Sequence, residues 1–95
     1  MATVTEIGTL LDRNPKIRGG RPKIAGTGIT VKRIVIFYQS GYSPEEIARE
    51  YPHVNLTQVF GALTYYHANR EEIDLDIAEE RAIGDELEKN AVSMR

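Results

Sequence analysis

The sequence predicts a mainly α domain: a tri-helical helix-turn-helix unit behind a short β-containing N-terminal segment, followed by a C-terminal helical extension. Three observations carry this. An apolar 3.6-residue periodicity begins after Thr30. The run Ser43-Pro44-Glu45-Glu46 is a strong helix start. A third periodic segment follows the short turn His53-Val54-Asn55-Leu56.

In the opening segment Thr5 can cap a short helix that carries Ile7, Leu10 and Leu11 and ends near Asp12, while Thr3-Val4-Thr5 favours a strand. Across residues 14–28, Asn14-Pro15, Gly19-Gly20, Pro22, Gly26 and Gly28 interrupt any helix. Ile17, Ile24 and Ile29-Thr30-Val31 lie between the breaks, so this stretch reads as a compact loop with one or two very short strands that must pair with each other or with a second chain.

The first helix is expected over 31–40, with Thr30 as cap and Val31, Ile34, Val35 and Tyr38 on its buried side. Gly41 suits its C-terminal stop. The second helix is expected over 43–51. Ser43 and Glu46 form a capping box, Pro44 sits at the first helical position, Ile47, Ala48 and Tyr51 face inward, and Pro52 ends it. The third is expected over 57–70, with Thr57 as cap, Leu56 as a staple, and Val59, Phe60, Ala62, Leu63 and Tyr66 buried. Beyond Glu71 the chain is acidic, with a thin apolar stripe through Ile73 and Ile77, a loosening at Gly84 and fraying after about Lys89.

At 95 residues the chain makes one domain, organised as a segment 1–13, a domain 14–73 and an acidic tail 74–95. With 41% hydrophobic and 27% charged residues its composition is that of an ordinary globular protein. It has no cysteine, which excludes disulfides, thiolate metal sites and cysteine catalysis. No apolar run spans a bilayer, and residues 1–11 lack a signal-peptide pattern, so a cytoplasmic location and no membrane partner are expected.

Charge is distributed unevenly. Residues 1–33 carry seven Lys and Arg against Glu6 and Asp12, a net of +5, whereas residues 70–95 carry four basic and nine acidic residues, a net of −5. Such a division points to two partners, or to one partner and a self-contact.

In a helix-turn-helix the last helix is the reading helix, and Thr57, Gln58, Gly61, Thr64, Tyr65, Ala68 and Asn69 are its outward positions. Thr57, Gln58 and Thr64 are the candidates for base edges. This helix has no Lys or Arg before Arg70, so phosphate contacts must come from Arg18, Arg21, Lys23, Lys32 and Arg33. The same three helices also fit a plain small bundle with polar outer faces. On the acidic tail, Ile73, Leu75, Ile77, Glu79 and Glu80 are the candidates for contact with a protein partner. Truncation after Glu72 is then expected to abolish partner binding and leave folding intact.

Enzymatic chemistry is not expected. His53 and His67 lie on different elements without ligand spacing, and the glycines lack the Gly-Lys-Ser/Thr ending of a phosphate loop. Asp74, Asp76, Glu79 and Glu80 read as a solvated acidic face, and no metal or cofactor is implied.

Gly19-Gly20-Arg21-Pro22-Lys23-Ile24-Ala25-Gly26-Thr27 followed by Ile29-Thr30-Val31 resembles the signature of the DUF433 family. Gly41-Tyr42-Ser43-Pro44-Glu45-Glu46-Ile47, Tyr51-Pro52, Leu56-Thr57, Val59, Ala62-Leu63 and Tyr65-Tyr66 extend the likeness over residues 14–73. The resemblance implies a homeodomain-like helix-turn-helix, a homodimer and a VapB-type antitoxin role. Such an antitoxin would neutralise a PIN-like nuclease toxin and bind its own promoter DNA. The alternative is an interaction or dimerisation module that binds no DNA. One departure stands out: the family usually has Arg after Gly-Thr, and here position 28 is Gly.

Overall fold

The computed structural model describes the backbone of residues 6–93 and the side chains of residues 6–87. Thr5 and the Thr3-Val4 strand propensity lie outside the described residues, as do the side chains past Leu87, where fraying after about Lys89 is expected. The architecture is mainly helical with a small two-stranded N-terminal sheet, as the sequence predicts.

The helix expected through Leu10 and Leu11 is instead a single 3-10 turn over Ile7–Thr9. Leu11–Asp12 extends as strand β1 and pairs antiparallel with β2, Lys23–Ile24, in the register Leu11 to Ile24 and Asp12 to Lys23. One helical turn bears the nucleation cost without propagating, whereas pairing satisfies the backbone at once. Thr30 bridges Lys23 from the other side, and the Val31 N–H donates to the Pro22 carbonyl at 2.9 Å. The loop between β2 and the first helix is closed by Thr27, whose hydroxyl donates to the Ile24 carbonyl at 2.8 Å and accepts from the Ile29 N–H at 3.0 Å.

Helix α1, Val31–Gln39, starts at Thr30, whose side chain accepts from the Arg33 N–H, and ends before Gly41, which has φ +99°. Val31, Ile34 and Val35 are fully buried, but Tyr38 is 41% exposed. Helix α2, Pro44–Glu50, carries the complete Ser43/Glu46 capping box. Helix α3, Leu56–Ala68, begins earlier than expected because Asn55, not Thr57, is its cap, in a capping box with Gln58. The staple position before that cap is accordingly Val54, which is buried together with Val59, while Leu56 and Phe60 face outward at 38% and 48% exposure.

Asn69 leaves helical geometry at φ −137° and ψ 44°, separating α3 from α4, Arg70–Ser93, which continues without a break through Gly84. The first half of α4 packs onto α1 and α3. Ile73 and Ile77 are 1% and 4% exposed and belong to the same core cluster as Ile34, Ile47 and Val59. Burial of each isoleucine contributes about 1.5–3 kcal/mol. A cut after Glu72 therefore removes core, and the expectation that folding survives it is corrected. Among the described residues no helix is long and apolar enough to cross a membrane.

Candidate nucleic-acid interface

The basic front and the acidic back meet. Glu72, Asp76 and Glu80 recur at i, i+4 and i+8 on one side of α4, and each takes a cation from the N-terminal part of the chain. The Arg13 guanidinium reaches Glu72 at 2.8 Å and also donates to the Tyr65 hydroxyl. The Arg21 Nε donates to both oxygens of Asp76, at 2.8 and 3.0 Å. The Lys32 ammonium lies 3.6 Å from Asp76 and 3.5 Å from Glu80. These hydrogen bonds raise the pKa of Arg13 and of Arg21 above the ordinary arginine value, so both stay charged. Burial, reinforced by donation to Glu72, raises the Tyr65 phenol, which stays protonated. Lys23 is 3% exposed and paired with Asp12 across the β1–β2 ladder, so it is closed to any phosphate.

Four of the five cations singled out from the sequence share one cleft of about 570 Å³. Arg18, Arg21, Lys32 and Arg33 line it together with Asp76, Glu79 and Glu80. Tyr51, Ile36 and Ile83 supply apolar wall. Arg18 and Arg33 have no carboxylate within ion-pair distance among the described residues. Arg18 is set by its backbone: φ is +51°, the single positive value for a non-glycine among the described residues. Such strain persists where surrounding structure holds it in place, and it clusters at binding sites. Here the Arg18 Nε donates to the Gly28 carbonyl at 3.2 Å, and the Arg18 carbonyl accepts from Arg21 at 3.1 Å. A Cβ at Gly28 would meet the Arg18 guanidinium at 3.9 Å, so the two positions are in close contact.

The α3 candidates are not part of this cleft. Thr57 is exposed; Gln58 is spent on the cap, where its side chain accepts from the Asn55 N–H at 2.8 Å. Thr64 lines a separate groove of about 350 Å³ between α3 and residues 7–13. Gly61 is covered by the chain's own Leu10, whose Cδ1 would lie 3.0 Å from an added Cβ. The outward face of α3 is thus partly occupied by the N-terminal segment.

On α4 the candidates divide. Ile73 and Ile77 are core residues and are corrected as partner contacts, because burial removes them from any surface. Glu80 pairs with Lys32, while Leu75 and Glu79 are exposed. Arg13, Glu72 and Asp76 are interacting groups that the sequence pattern does not single out; the four-residue spacing of the carboxylates, set against a basic front, was the available signal. His53 and His67 are both exposed and apart from the cleft.

The family described as "Protein of unknown function (DUF433)" matches residues 11–66. The crystal structure of a DUF433 member protein from Anabaena variabilis ATCC 29413 is similar, with a TM-score of 0.70 and 31% sequence identity over 74% of this chain and 69% of that chain. No curated protein matches the sequence.

Proposed function

This chain belongs to the DUF433 family, and on that premise we propose that it is a non-catalytic, cytoplasmic antitoxin-type protein that holds a nucleic-acid backbone in its cation cleft and a basic protein partner on α4. The observation that carries the nucleic-acid half is the gathering of Arg18, Arg21, Lys32 and Arg33 in one cleft, with Arg18 and Arg33 free of carboxylates among the described residues. Arginines in that state are suited to phosphate, as forked donors with their charge uncompensated. Promoter DNA is the proposed ligand.

The partner half rests on α4. Residues 78–87 are exposed throughout, and Ile83 and Leu87 stand at 62% and 64% exposure with Glu79 and Glu86 close by on the helix. An apolar pair flanked by carboxylates suits a groove lined by Lys and Arg, as the substrate path of a nuclease is, and the carboxylates would stand in for RNA phosphates. A homodimer is part of the proposal, since a second copy would cover Leu56 and Phe60, which share one face of α3.

Fluorescence anisotropy with a short DNA duplex tests the first half. Wild-type protein should bind at low salt. Arg18→Gln/Arg33→Gln should lose affinity and flatten the log–log salt slope by about 1.8, the value for two fewer neutralised phosphates. Absence of wild-type binding at low salt would favour the second reading, an interaction module that binds no DNA. That reading draws on the occupancy of Arg13, Arg21 and Lys32 by α4. Co-expression with a nuclease encoded beside this chain tests the other half: growth should be rescued by wild type and not by Ile83→Ser/Leu87→Ser.

A further inference from the structure

We propose that Asp76 and Glu80 are fixed competitors for phosphate that limit how many cations this site offers, a role that rests on the reading of the cleft as a phosphate site. Arg21 and Lys32 reach the cleft but already hold these two carboxylates. An incoming phosphate meets Arg18 and Arg33 unopposed and must displace a carboxylate to reach the other two.

The competitor is held in place by the core. Asp76 lies between Ile73 and Ile77 on α4, and those side chains are 1% and 4% exposed, so the helix cannot swing away without exposing them. The Asp76 side chain is itself only 17% exposed and accepts from the Arg21 Nε with both oxygens. A carboxylate tethered in this way acts at a high effective concentration that dilution does not lower. Glu80 is more loosely engaged, at 3.5 Å from Lys32 and 51% exposed. Asp76 is therefore the stronger competitor. The carboxylates that line the cleft also repel the charge of a duplex, so its backbone is held chiefly by Arg18 and Arg33, which are both exposed.

The test compares duplex binding by wild type, Asp76→Asn/Glu80→Gln, and a charge-matched control, Glu45→Gln/Glu71→Gln, whose residues hold no ion pair among the described residues. Each pair raises the net charge equally, but only the first frees Arg21 and Lys32. The cleft variant should bind about tenfold more tightly near 50 mM salt, with a salt slope steeper by about 1.8, while the control keeps the wild-type slope. Circular dichroism verifies that all three are folded. Equal slopes for the cleft variant and the control would overturn the competitor role and leave the phosphate site standing. No binding by any of the three proteins would overturn both.

Discussion

Asn55 and Glu46 each decide where a helix begins. Asn55 caps α3 and Thr57 does not, so Asn55→Ala should cost about 1 kcal/mol in urea unfolding while Thr57→Ala stays within about 0.5 kcal/mol. The spacing of Asn55 and Gln58 already carries a capping-box pattern, but Thr57 before Val59 carries a competing start signal, and local sequence does not rank the two. With the cap at Asn55, Val54 takes the staple position and is buried in the core, a tertiary contact that the local sequence does not weigh. Glu46 accepts from the Ser43 N–H at 3.0 Å, and that hydrogen bond lowers its pKa below the ordinary 4.5. A depressed carboxylate stabilises the fold fully above its unfolded value and loses that contribution as pH falls through its folded value. The protection factors of the first-turn amides of α2, taken against the intrinsic exchange rate at each pH, should thus fall as pH drops below 4.5, and Glu46→Gln should remove that dependence.

Helix α4 is the element on which sequence and structure differ most. Ser43-Pro44-Glu45-Glu46 was legible because a capping box is written within four residues. The docking of α4 was not, because it depends on two isoleucines and four long-range ion pairs whose partners lie some fifty residues away in the chain. Ion pairs that keep at least partial access to water contribute about 0–1 kcal/mol each, so the two isoleucines carry most of the docking stability. Ile77→Ala should cost about 2–5 kcal/mol in urea unfolding, and a chain ending at Glu72 should lose its cooperative transition. Ile83→Ser/Leu87→Ser should change stability by less than about 0.5 kcal/mol, because both side chains already face water.

At the scale of the whole molecule, the division of charge is largely an internal complementarity. The +5 front and the −5 back were legible as a division but not as a contact, since composition does not say which surfaces fold together. The pairing absorbs Arg13, Arg21 and Lys32 and leaves Arg18 and Arg33 facing the cleft. It also moves the proposed nucleic-acid contact away from the outward face of α3, where Leu10 covers Gly61 and Gln58 serves the cap. The most direct measurement is a titration of the isotope-labelled protein with a short DNA duplex, followed by backbone amide shifts. If the cleft holds the DNA backbone, the largest shifts fall at Arg18, Gly28, Thr30, Lys32 and Arg33, which line it. Shifts confined to residues 57–64 of α3, with the cleft unmoved, would contradict that placement.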